Sequence, residues 1–148
     1  MPDAARVSAS LRIRRDGGAV ELAAAGQLHR LLHGWALTCR LQETGRTADA
    51  PQDDSPASEM MLILREDEIR MNRKGEIAQD QVFRVGEWKA GTIGTRYGTL
   101  RAEAYTTRIE MDLLPGGGSV EWEYDWRTAD RQTERCSVRL EIREEVAK

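Results

Sequence analysis

From Val7 onward the chain alternates apolar and polar residues one for one. Val7, Ala9, Leu11 and Ile13 stand against Arg6, Ser8, Ser10, Arg12 and Arg14. A period of two marks a strand with one buried face. The glycine-rich break Asp16-Gly17-Gly18 reads as a turn, after which Val20, Leu22 and Ala24 resume the pattern. Trp35, Leu37, Cys39 and Leu41 form the next alternating run. Met60, Leu62 and Leu64 pass through Glu66-Asp67 to Ile69 and Met71, which predicts a hairpin, and Asn72 to Gly75 turns again. The stretch from Ile77 to Val85 is less regular, because Val82 and Phe83 are adjacent. Two further strands are predicted from Trp88 to Thr95 and from Thr99 to Leu114. The second changes parity, with Leu100, Ala102 and Ala104 on one face and Ile109, Met111 and Leu113 on the other, so a bulge is expected near Thr106-Thr107. The last two runs alternate without error, Val120 to Trp126 and Cys136 to Ile142.

About ten strands with one apolar and one charged face leave no long amphipathic segment to cover a sheet with helices. Such a sheet folds onto itself or closes. Short sequential connections favour an up-and-down meander, and closure removes exposed strand edges. The expectation is an all-β fold, a single closed or nearly closed antiparallel barrel of about ten strands, with a sandwich as the alternative. Residues 1–148 form one domain in this reading. Residues 44–58, polar and holding Pro51 and Pro56, are a flexible loop, and 144–148 a frayed tail. Gln27 to His33 suits a helical turn through Leu28, Leu31 and Leu32, or equally a strand or bend.

From Glu59 to the last strand the chain resembles the YwiB-like family of small bacterial proteins. The shared features are the hairpin at Met61 to Met71, Phe83 ahead of Gly86, Tyr97-Gly98 opening a strand, Leu100, the pair Thr107 and Ile109, and the closing strands from Val120. The resemblance implies a calycin-like (lipocalin-like) β-barrel. Its motifs are turn glycines and core aromatics, and it implies no activity.

Charge narrows the functions further. The chain carries 22 basic and 25 acidic residues, a net charge of −3, and Arg and Glu interleave along the strands. A nucleic-acid partner is not expected, because phosphate binding needs a basic excess or stripe. No apolar run approaches the roughly 18 residues of a membrane-spanning helix, and the start Met1 to Arg6 lacks a signal peptide's apolar segment. A cytoplasmic protein with reduced Cys39 and Cys136 is expected.

No catalytic constellation emerges. His29 and His33 are the two histidines, four residues apart. On a helix they would face one another across a metal, but on a strand they stand about 13 Å apart, and no acidic residue lies between them. Cys39 lies on the apolar parity of its strand, with no cation beside it on that face to activate it. Gly86, Gly91, Gly94 and Gly98 lack the phosphate-loop pattern. Neither enzyme chemistry, metal nor cofactor is expected. Trp122, Tyr124 and Trp126 share one face of one strand, and with Trp35 they either line a cavity for a small apolar or amphipathic ligand or fill the core. Small residues at Ala9, Ala24, Ala102 and Ala104 would give such rings room. The alternative is a structural or interaction module that works through its surface, as a homodimer or with another protein. The well-alternating strands carry no ionisable group on the apolar parity, so an uncharged interior is expected.

Overall fold

The computed structural model describes residues 4–15, 17–43, 58–75, 78–95, 97–114, 116–128 and 133–145. Ten antiparallel strands follow one another in a closed barrel: β1 (Ala4–Arg15), β2 (Gly18–Leu31), β3 (Gly34–Glu43), β4 (Ser58–Leu64), β5 (Glu68–Lys74), β6 (Ala78–Arg84), β7 (Trp88–Thr95), β8 (Gly98–Leu114), β9 (Gly117–Thr128) and β10 (Glu134–Glu144). Each pairs with its sequence neighbours, and β1 closes on β10 over the register Val7↔Glu144 to Arg14↔Ser137. The expected meander barrel is present. Gln27 to Leu31 complete β2, and Leu32-His33 make the turn into β3.

The expected bulge is present as well. Thr106 pairs with Tyr124 and Arg108 with Glu123, so Thr107 is the extra residue. Its hydroxyl donates 3.1 Å to the Glu123 carbonyl oxygen. One inserted residue exchanges the faces of a strand. Ala102, Ala104 and Thr106 point inward before it, and Ile109, Met111 and Leu113 pack against the core after it.

The irregularity read at Val82-Phe83 marks a place where the wall parts. β6 and β7 pair only from Ala78↔Gly94 to Gln81↔Gly91. Beyond that point the buried Gln81 amide donates to the carbonyl oxygens of Val82 (3.1 Å) and Lys89 (3.0 Å), replacing the missing ladder. Gly91 makes room for it, since a Cβ there would lie 2.3 Å from Gln81 Oε1. Past the gap, the Gly86 N–H donates 2.9 Å to the Thr106 carbonyl oxygen, with Gly86 at φ 82°. The end of β6 is thereby tied to β8.

Strand pairing outlasts the alternation at several ends. Glu144, read as the start of a frayed tail, closes β10, and the Glu145 N–H donates 2.9 Å to the Arg6 carbonyl oxygen. Ser58 opens β4; the rest of the expected loop 44–58, and residues 146–148, lie outside the described residues. Apolar side chains line the interior from all sides, with Trp122, Phe83, Leu11, Leu28, Leu37, Leu62, Leu64, Ile69 and Leu140 fully buried. Among the described residues, no helix is long and apolar enough to cross a membrane.

Candidate functional site

In a meander barrel, successive turns fall at opposite ends. The β1–β2, β5–β6 and β9–β10 turns therefore share one end (the first end), and the β2–β3, β4–β5 and β8–β9 turns the other (the second end). This separates the four aromatic residues singled out in the sequence. Trp35 begins β3 at the second end, half-buried, with the Arg30 guanidinium 5.6 Å from its ring centre. Trp126 lies near the end of β9 at the first end, partly buried under the Arg15 guanidinium at 5.8 Å. Between them, Trp122 (0% exposed) and Tyr124 are buried against Phe83, with ring centres 5.8 and 4.6 Å from it. Phe83 is the ring that gathers the core aromatics. The small residues Ala9, Ala24, Ala102 and Ala104 are all buried.

The inner wall is almost wholly apolar, and its few polar atoms are informative. Thr106 (0% exposed) and Trp122 stand on adjacent strands next to the bulge. Thr106 Oγ1 and Trp122 Nε1 are both buried without a hydrogen-bond partner. Arg73 Nε is in the same state. Arg73 was read as part of a turn, but β5 runs on to Lys74 and puts Arg73 on the inward parity of Ile69 and Met71. Arg15 and Glu134 likewise take the inward parity at the ends of β1 and β10. The expectation of an interior face without ionisable groups is thus corrected at the rim. The apolar run stops there, but backbone pairing continues.

Burial sets the electrostatics inside. The Tyr124 hydroxyl is pushed well above the usual phenol range, first by desolvation and then by the neighbouring Cys136, while Arg15 works against the shift. Burial raises the Cys39 thiol from 9.0 to about 11. Neither Cys39 nor Cys136 forms a disulfide; β3 and β10 are separated by β1 and β2. His29 sits on the outward parity of β2 and His33 in the turn beyond it. No group of three metal-ligating side chains occurs among the described residues.

The outer wall differs from one side to the other. Across β8, β9 and β10, Arg108 bridges Glu110 and Glu121, Arg139 bridges Glu121 and Glu141, and Arg135 bridges Asp125 and Glu123, at 2.7–3.4 Å. Across β4 to β8 lies a hollow of about 470 Å³ lined by Met61, Ile63, Val82, Ala90 and Arg101, and a second of about 380 Å³ adjoins it at Met61 and Asn72. Beyond β7, the Arg127 guanidinium lies 3.9 Å from the ring centre of Trp88, which leans on Tyr105.

Residues 37–140 match the family described as Domain of unknown function (DUF1934). Among solved structures, the chain is similar to the YwiB protein from Bacillus subtilis, with a TM-score of 0.75 at 16% identity over 99% of this chain and 96% of that one. A weaker likeness, TM-score 0.42 at 9% identity over 97% and 89% of the two chains, is to the S-type phycobiliprotein lyase CPES from Guillardia theta. A search of curated proteins finds no match. At this identity the likeness to YwiB is one of fold.

Proposed function

The chain belongs to the DUF1934 family, and on that premise we propose that it is a binding protein, not an enzyme, whose barrel takes up a small amphipathic molecule. The observation that carries this reading is the pair of unpartnered polar atoms at Thr106 and Trp122. More than nine in ten buried polar groups in folded proteins have a hydrogen-bond partner, and an unmade bond costs about 1–3 kcal/mol. Two on adjacent inward positions call for an occupant. An indole N–H can only donate and a hydroxyl both donates and accepts, so the complementary group is an acceptor oxygen. The surrounding wall, built from Phe83, Ala104, Val120 and Tyr124, suits an apolar body. Site residues in this reading are Thr106 and Trp122 at the centre, Tyr124 beside them, and Trp126 and Trp35 as the rims of opposite ends. The buried cysteines without a disulfide fit a reducing, cytoplasmic setting.

Native mass spectrometry of the protein purified from its own host tests the proposal. A retained molecule of defined mass, lost from the Thr106→Val/Trp122→Phe double variant, is expected. A bare chain mass, with no change of tryptophan emission on adding amphipathic oxygen-bearing probes, would overturn it.

A second reading, interaction through the surface, is favoured by the hollow over β4 to β8, where Met61 is 44% exposed beside Ile63 and Val82. If two copies meet there, Met61→Glu abolishes a dimer seen by light scattering. An unchanged monomer in both proteins removes this reading.

A further inference from the structure

We infer, resting on the interior-binding reading, that the ligand carries an anionic oxygen head group and that Arg73 holds it at the first end of the barrel. Arg73 is half-buried and inward, and its register partners Met60 on β4 and Gln79 on β6 take the inward parity too and carry no charge. Its Nε is buried without a partner, and no carboxylate among the described residues lies in ion-pair range of it. A buried guanidinium nitrogen left without an acceptor is more costly than a neutral orphan. The planar fork of guanidinium donors fits two oxygens of a carboxylate or a phosphate.

Among the described strands, the charged positions of inward parity at that end are Arg73 on β5, Arg15 on β1, Glu43 on β3 and Glu134 on β10. Arg15 and Glu134 act on Tyr124 with opposite sign. The other end is different. There Lys89 is 3.7 Å from Glu87, and Arg30 lies over Trp35. An anion held by the unpartnered Arg73 would sit at the first end, with its apolar body directed toward the deeper Thr106 and Trp122.

Titration of tryptophan emission with ω-hydroxydecanoate, ω-hydroxydecyl phosphate and the neutral decanediol tests the inference. The expected result is about tenfold tighter binding of one or both anions than of the diol. That preference should disappear in Arg73→Gln, persist in Arg73→Lys and weaken with salt; which anion binds better identifies the head group. Equal affinity for acid, phosphate and diol, or a preference untouched by Arg73→Gln, would overturn the anionic head group while leaving the interior reading intact. If none of the three binds and native mass spectrometry shows a bare chain, both fail. Circular dichroism of each variant separates loss of binding from loss of fold, and the salt dependence of the unaltered protein gives a readout that needs no variant.

Discussion

The two faces of the barrel wall treat polar groups in opposite ways. Outside, where water would solvate every charge, Arg108, Arg135 and Arg139 pair with glutamates and an aspartate across three strands. Inside, where water is excluded, Thr106 Oγ1, Trp122 Nε1 and Arg73 Nε have no partner. Exposed ion pairs contribute little, because their partners were well hydrated and salt screens them. A buried group without a partner loses its hydration and gains nothing in return. The outer lattice therefore tells little about function, and the inner wall tells most. Gln81 sharpens the contrast, since it is buried too, yet its amide bonds two carbonyl oxygens in full. This wall can satisfy a buried polar group where the need is structural.

The contrast breaks or holds under four changes. The largest effect is expected at Gly26, where a Cβ would meet the Thr38 carbonyl oxygen at 1.9 Å and the Cys39 Cα at 2.6 Å. Gly26→Val sets side chain against backbone, so a loss above about 4 kcal/mol, seen as absence of a cooperative thermal transition, is expected.

Next comes the pH dependence carried by Cys39. Its folded thiol ionises near 11 against 9.0 for an unperturbed one. Above the ordinary value the unfolded chain releases its proton first. Stability is thus intact below that pH and falls as pH climbs toward the folded value, by on the order of 2 kcal/mol. Urea unfolding across this range should be flatter for Cys39→Ala; an identical slope would show that the inner wall tolerates a charge there.

Thr106→Val should act with the opposite sign. It removes a buried hydroxyl without a partner at nearly constant shape, so the ligand-free protein should gain about 1 kcal/mol in urea unfolding while ligand affinity falls. A loss of stability would mean that the hydroxyl is satisfied and the contrast is false. The smallest effect belongs to Arg139→Ala on the outer lattice. No resolvable change in the urea midpoint is expected, and any that appears should vanish in molar salt.

Much of this was legible along the chain. Alternation located the strands, and the parity change between Ala104 and Ile109 located the bulge that Thr107 makes. The aromatic face of Val120 to Trp126 was legible as inward-facing, but its grouping with Trp35 was not. Parity tells which side of a wall a residue faces, not how far along the barrel it lies. Arg73 was missed because its run of hydrophobics ends at Met71, whereas β5 pairs on to Lys74. One signal was present: Arg73 keeps the odd-numbered parity of Ile69 and Met71. Phe83 and Gln81 were obscured by the adjacent Val82, at the point where β6 and β7 part.

The sequence alone determined the all-β class, the meander and the sides of the wall, because each of these follows from a local two-residue repeat and short turns. Tertiary structure decided the rest. Closure of β1 on β10 made an interior, set Phe83 against Trp122 and Tyr124, and parted Trp35 from Trp126. Among the described residues it also left three buried polar atoms without a partner. Whether a donor has a partner depends on what stands across the barrel from it, and that residue is distant in the chain.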